Sequence, residues 1–573
     1  LTFLVALGLA LRLGSAPLID ADEGRNAEVG REMAATNDYV LPKLDGLPYL
    51  DKPIVYFAAE AAVMEVLGPT EVAARLPAYL FTLATALLMF LFARRVWDEE
   101  RAWVAAIVFL AMPLTMVFAR TVIFDSALTF FIAAAIMAFY LAVESPHPAL
   151  RFAQGHPLPQ AGEGARDDFG RDGAGDDPGR DPSPASRERV ADGRVRAAPW
   201  AALAWIAIGF GIITKGPVAI LLPLLVAIPY AIRRKRFRAL WSLIGLIGCV
   251  VVVAPWVWGV SRQVPDFLRY VVVTETAARI ATKELQRTGP PWYFLPFLIG
   301  GAMPWVVVLA SSWRELRKRD PLLLYLALWI LVPLAFFSIS QSKRPQYILP
   351  LMPPIAFLVA AAWQNIRMRA AAIALACFGL ILFAGPWLPV FRKMKPMLIE
   401  PATSSAIALG AAFVIGGIVA FIAKRKELAL GGLAIAMAAL PVLTDPVHRA
   451  VGEQRSAKAF ITALRPHLQP DSEIVGLEAF TGSMAFYLGR PFTLVSSDGS
   501  ELTSNYILRH YDRYATDPRS MLKPLPWLDP KLRAPGRTVV ITRIKDADFR
   551  ALVESHGFSA IARGADHVAY ARP

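Results

Sequence analysis

Cysteine is almost absent. Cys249 and Cys377 are the only two among 573 residues, and both sit in apolar segments. They offer neither a disulfide framework nor a thiolate metal site. Histidine is scarce as well: all seven fall in one polar linker or after residue 447. Only 18% of residues are charged, while 55% are hydrophobic and the mean hydropathy is +0.45. A soluble domain of this length could not cover its surface with so few polar groups. Heptads, a P-loop, a dinucleotide fingerprint and repeats of fixed period are missing too, which leaves phosphate hydrolysis and hydride chemistry without support.

What is present is a series of long apolar stretches alternating with short basic clusters, the pattern of a helical membrane protein. About thirteen spans are predicted, over residues 2–19, 73–93, 102–118, 123–143, 199–213, 217–232, 239–259, 292–310, 321–339, 347–363, 370–388, 404–423 and 428–444. Residues 1–18 could pass for a signal peptide, but no small-residue cleavage site follows, so they count as the first span. The clusters are Arg94, Arg95 and Arg101; Arg233, Arg234, Lys235, Arg236 and Arg238; Arg314, Arg317, Lys318 and Arg319; Arg367 and Arg369; and Lys424, Arg425 and Lys426. Thirteen spans put all five on one side, which the positive-inside rule makes cytoplasmic. The net charge of +14 is thereby explained without a nucleic-acid partner. The C-terminus then lies outside.

Three segments stand apart. Residues 20–72 form a long outside loop. Residues 144–198, rich in Pro, Gly, Asp and Arg, read as a disordered cytoplasmic loop, since they bury too little apolar area to offset chain entropy. Residues 453–573 look soluble, with short strands at "SEIVGLEAF", "PFTLVSS" and "GRTVVITRI" between helical stretches at 454–465 and 546–555. The expected fold is an all-α polytopic membrane bundle, residues 1–450, carrying a small α/β domain outside the membrane.

Charge collects on the outside turns. In "DADEGRNAEVGREM", Asp22, Arg25, Glu28, Arg31 and Glu32 recur at helical spacing, predicting an amphipathic helix at the interface. Alone it could be a salt-bridged surface helix. Asp51 and Lys52 precede the next apolar run. Arg120 and Asp125 share a tight turn where topology needs no charge, and they could simply pair. Lys215 occupies the turn of "GIITKGPVAI" and could be a snorkelling helix-end lysine. Lys343, Arg344 and Tyr347 lie in "SKRPQYILPLMPP", although outside turns should be poor in cations. An ionisable group at membrane depth costs ~2.5–3.5 kcal/mol or more, so such groups line a polar cavity or find a partner. Carboxylates can orient or deprotonate an acceptor. Lys and Arg can bind a phosphate and stabilise it as it leaves. Together these loops point to transfer from a phosphorylated lipid.

The motifs "DEGRNAEVGREM", "LDKPI", "VIFD", "TKG" and "SKRPQYILPLMPP" resemble the lipid-linked glycosyltransferases of the GT-C fold. Nearest in pattern are the bacterial 4-amino-4-deoxy-L-arabinose lipid A transferases, and more distantly the protein O-mannosyltransferases. The resemblance covers residues 1–450. It implies an inverting, inner-membrane enzyme with its active site in the periplasm and an undecaprenyl-phosphate sugar donor. It further implies a lipid A-like or other acceptor, lipid or protein. The chain is expected to work as a monomer among membrane lipids. The resemblance casts Asp22, Asp51 and Asp125 as catalytic carboxylates, and Arg25, Lys52, Lys343 and Tyr347 as the donor-phosphate site, to which the charge on the outside turns adds Lys215 and Arg344. In the arabinosyl enzymes a His of a later outside loop helps hold zinc. Here that loop has Glu275, with Thr276 in place of the His. A carboxylate-only zinc site would be unusual, so no metal or other cofactor is predicted. A flippase or other transporter is the alternative from another class, but it should show internal repeats or mid-span charges. A sensory protein would leave the charged loops unexplained.

Overall fold

A computed structural model describes residues 1–145, 184–271, 289–317 and 320–572. Most of the linker read as disordered, and the Glu275–Thr276 position, lie outside the described residues. Residues 184–198 begin the helix Pro184–Lys215; their Ala, Arg and Glu are good helix formers.

Hydropathy reads through helix breaks, and this shows in the span count. Among the described residues seven helices are long and apolar enough to cross a membrane, or nine if each of two bent pairs counts once. In the first pair, Glu99–Leu110 and Pro113–Ala119 meet at 66°; in the second, Phe294–Gly301 and Trp305–Ser311 meet at 91°. Pro113 and Pro304 lie at the breaks, where a missing N–H and a ring clash stop the preceding helix. Pro199–Lys215, Val218–Arg233 and Pro345–Ala361 are apolar but shorter. The helix at the N-terminus covers only Thr2–Ala10. Large apolar side chains such as Leu243, Ile244, Val250 and Val251 stay exposed on Phe237–Gln263, a face suited to lipid rather than water. The chain is a multi-pass membrane protein.

The bundle has two chemically distinct ends. At one, the basic turns meet: Lys426 pairs with Glu100 at 3.2 Å, Arg234 with Glu144 at 2.7 Å, and Ser311 donates to the Arg367 carbonyl at 2.7 Å. Helix Asp125–Glu144 has 20 residues, so Asp125 stands ~30 Å from that end. Around Asp125 the opposite end gathers the first loop, with helix Asp22–Thr36, a hairpin of β1 (Lys43–Leu44) and β2 (Leu47–Pro48), and helix Val55–Leu67. The hairpin turns on Asp45–Gly46, both at positive φ, the usual chemistry of a two-residue hairpin loop.

Residues 473–571 build a six-stranded sheet. Its strands are β3 (Glu473–Leu477), β4 (Thr493–Val495), β5 (Leu522–Lys523), β6 (Thr538–Arg543), β7 (Ser559–Arg563) and β8 (His567–Ala571), in the order β5-β4-β3-β6-β8-β7. The first four in that order are parallel, and β8 runs antiparallel to both of its neighbours, β6 and β7. β3, β4 and β6 fall within the three segments read as strands.

This sheet region docks on the first loop, so helix Asp22–Thr36 is not an open interfacial helix: Glu28, Arg31 and Glu32 are buried. The contact is backbone to backbone. A Cβ on Gly482 would lie 2.1 Å from the Arg25 nitrogen, and one on Gly24 would lie 2.4 Å from the Ser483 nitrogen. Asp20 accepts from the Ser483 amide at 2.9 Å, Asp45 from the Phe492 amide at 2.9 Å, and Arg31 donates to the Gly489 carbonyl at 3.0 Å. Gly482→Ala is expected to cost about 1–3 kcal/mol through overpacking, seen as a lower melting temperature in detergent and faster proteolysis within 453–573.

The first loop is expected to respond to pH. Burial first, then the charge of Glu28, raises Glu32 to about 7. The unfolded chain releases that proton near ~4.3. Between the two values the folded state binds more protons, so this group's contribution is full at acid pH and is lost as pH rises towards 7. The parent's melting temperature is expected to fall between pH 5 and 7, and Glu32→Gln should flatten that fall.

Candidate functional site

Asp22 opens helix Asp22–Thr36, where the helix dipole favours an anion. Its Oδ1 accepts from Arg25 at 2.7 Å and its Oδ2 from Arg344 at 3.0 Å. Burial pushes the carboxyl up, but the guanidiniums of Arg25 and then Arg344 outweigh it and hold Asp22 below the ordinary carboxylate range. Its side chain keeps 45% exposure, so it is an ionised, reachable group. Arg25 is fixed from behind: it donates to Thr503 Oγ1 at 2.8 Å and lies over the Tyr49 ring at 5.7 Å.

Asp125 starts its own helix and is buried. Its partner is Lys215, at 2.5 Å, from the end of Pro184–Lys215. Arg120 does not pair with it. Arg120 instead donates to the carbonyls of Leu9, Leu11 (2.7 Å) and Arg12 (3.0 Å), closing the end of Thr2–Ala10. The Lys215 ammonium also sits 5.0 Å from the centre of the Tyr347 ring. Lys52 donates to the Asp51 carbonyl at 2.6 Å. The Asp51 carboxylate accepts from Tyr270 Oη at 2.7 Å and from the amides of Asn505 and Tyr506 at 2.8 and 3.2 Å. Lys343 is buried and donates to the Ser338 and Ser340 carbonyls, both at 2.7 Å, at the end of Pro321–Ile339. Burial pulls its ammonium below the usual lysine value.

Two joined cavities result. A polar one of about 90 Å³ is lined by Asp22, Arg25, Asp51, Lys52, Asp125, Lys215, Arg344 and Tyr347, among others. A mainly apolar groove of about 810 Å³ runs past Leu128, Leu221, Ile228 and Phe336. The two share Asp51, Lys52, Asp125, Lys215 and Tyr347. Of the predicted residues only Lys343 lines neither. An apolar channel that ends in lysines suits a long-tailed phosphate: the tail leaves water while the head gains charge-assisted hydrogen bonds. Asn26, Tyr49, Gln346, Thr503 and Asn505 also line the polar cavity, and none was singled out from sequence. Thr503 and Asn505 lie more than 450 residues from Asp51, with no local motif to mark them. Among the described residues no three His, Cys, Asp or Glu side chains group to hold a metal.

The family model of dolichyl-phosphate-mannose-protein mannosyltransferases matches residues 51–153. An undecaprenyl phosphate-alpha-4-amino-4-deoxy-L-arabinose arabinosyl transferase of Erwinia tasmaniensis is 29% identical over 470 residues, 77% of this chain and 75% of that one. Its counterpart in Aeromonas hydrophila is 30% identical over 61% of this chain, and the match spans 57% of the relative, less than two thirds of its length. The crystal structure of ArnT from Cupriavidus metallidurans bound to undecaprenyl phosphate superposes with a TM-score of 0.80 at 23% identity, covering 100% of this chain and 97% of that one. The chain is a glycosyltransferase, similar in sequence and fold to the lipid-linked transferases of the GT-C type. In this transferase the charged turns converge at one end of the bundle, at the head of the apolar groove. The likeness in fold extends through the C-terminal sheet, since the superposition takes in the whole chain.

Proposed function

We propose that this transferase moves 4-amino-4-deoxy-L-arabinose, or a related sugar, from an undecaprenyl-phosphate donor to a lipid A-like acceptor, with inversion. The union of an apolar groove with a cationic pocket through Lys52 and Lys215 carries this reading. The names of the sequence relatives supply the sugar and the carrier. The tail lies in the groove, and Lys52, Lys215, Arg25 and Arg344 face the phosphate. An acceptor oxygen attacks the anomeric carbon from the side opposite the phosphate. The bond from that carbon to the phosphate oxygen breaks, and its electron pair leaves on undecaprenyl phosphate, where the cations stabilise it. A hydroxyl acceptor gives its proton to Asp22, whereas a phosphate acceptor is already nucleophilic and Asp22 only orients the site.

Three predicted residues take positioning roles. Asp125 holds Lys215. Asp51 ties the 505–506 backbone to the first loop. Lys343 caps a helix end and so places Arg344 and Tyr347. The nine long or bent spans, the three shorter apolar helices and Thr2–Ala10 correspond one for one to the thirteen predicted spans, which supports a reading with thirteen crossings. This puts the basic turns in the cytoplasm and the site on the periplasmic side of the inner membrane. Residues 1–450 then form the membrane domain and 453–573 a periplasmic domain, in a monomer.

The test is a membrane assay with radiolabelled polyprenyl-phosphate sugar. Label should enter the lipid fraction. Label in protein would favour the mannosyltransferase-like reading, which the match at residues 51–153 supports. Movement of intact donor across the bilayer without transfer would favour a flippase. Lys52→Ala is expected to lower kcat/KM about 10–100-fold by removing one charge-assisted contact to the phosphate.

A further inference from the structure

Asn26 follows Arg25 on helix Asp22–Thr36 and is 1% exposed. It lines the polar cavity and not the apolar groove. Its Nδ2 donates to the Val122 carbonyl at 3.0 Å. That bond sets the amide's orientation, because the flipped amide would face oxygen with oxygen. Among the described residues nothing donates to its Oδ1. A buried amide oxygen without a donor is costly, and in native structures such an atom has a reason.

The neighbouring carboxylates are already engaged: Asp22 by Arg25 and Arg344, Asp125 by Lys215, and Asp51 by Tyr270 and the 505–506 amides. Asn26 is thus a preset, neutral acceptor on the side of the site away from the lipid tail. We propose that Asn26 is a specificity-determining residue, whose Oδ1 accepts a hydrogen bond from an N–H or O–H of the transferred sugar. The proposal rests on the reading of the site as a sugar-transfer centre. A site built to receive such a donor rejects an analogue that lacks it, because the buried oxygen is then left unpaired.

The full chain, purified in detergent, is titrated with undecaprenyl phosphate, with its 4-amino-4-deoxy-L-arabinose conjugate, and with conjugates in which the amine or one hydroxyl is replaced by hydrogen. Asn26→Leu is expected to weaken binding of the full conjugate by roughly 10-fold, with bare undecaprenyl phosphate bound as in the parent. One analogue should bind the parent equally weakly and be indifferent to Asn26→Leu; its identity tells whether the amine or a hydroxyl is read. Equal weakening of bare carrier and conjugate by a folded Asn26→Leu, or equal sensitivity of every analogue, overturns the proposal. If Asn26→Leu does not fold, Asn26→Ala takes its place. A parent that binds conjugate no better than bare carrier also overturns it. Selective binding through Asn26 without any transfer would sink the enzymatic reading alone. Transfer untouched by Asn26→Leu would sink the Asn26 role alone.

Discussion

Asp22→Asn is expected to lower kcat for sugar transfer by about 10³-fold, within the range for losing a positioned acid–base group, while undecaprenyl phosphate still binds. The substitution keeps shape but removes the charge that two guanidiniums face. One amide oxygen can still accept from Arg25 or Arg344, but the amide nitrogen then confronts the other cation. With the negative charge gone, Arg344 is released to follow the phosphate and Arg25, held in place by Thr503, faces it unneutralised, so carrier affinity should hold or rise as turnover falls. The pH profile gives a second readout. Asp22 lies below the ordinary carboxylate range, so it stays ionised throughout pH 5–8. Parent activity should show no acid limb from this group in that window, and it should fall only as pH drops through the lowered value. A KM increase with unchanged kcat in Asp22→Asn would mean that Asp22 serves ground-state binding only.

The parts of the site legible from sequence are those where charge contradicts topology. Asp125, Lys215 and Arg344 stand in turns between apolar spans, where nothing about insertion requires them, and the fold brings them to one cavity. Partnership was not legible. Arg120 lies five positions before Asp125 and looks like its mate, yet the ion pair forms with Lys215, 90 positions away, because helix packing rather than sequence distance decides contact. Arg120 answers a different need, the orphan carbonyls at the end of the first helix. The burial of Glu28 and Glu32 was hidden for a similar reason. Helical spacing marks a polar face, but only the docked C-terminal sheet makes that face an interior one. Span number was blurred by proline: an apolar window over 99–119 or 294–311 has one continuous hydropathy but two helix directions.

Arg75 carries the largest purely structural effect, and nothing in "EVAARLPAY" separates it from an ordinary helix-end cation. It is 1% exposed. Its Nε and Nη2 meet Glu23 at 3.0 and 2.9 Å, and its remaining donors reach the carbonyls of Leu13, Ala16 and Pro17 at 2.8 to 3.1 Å. Glu23 in turn accepts from the amides of Ile19 and Val122, both at 3.1 Å. One ion pair therefore fastens the chain after the first helix, the helix that carries Asp22, and the turn that leads to Asp125. Arg75→Leu leaves the Glu23 carboxylate buried without its cation and is expected to cost about 3–5 kcal/mol, measured as a lower melting temperature in detergent. Adding Glu23→Gln removes the stranded charge, so the double variant should be more stable than Arg75→Leu alone. It should still fall short of the parent, because three carbonyls have lost their donors. If the single and double variants melt together, Glu23 takes up a proton in place of its partner, and the pair holds these three segments by hydrogen bonds rather than by charge.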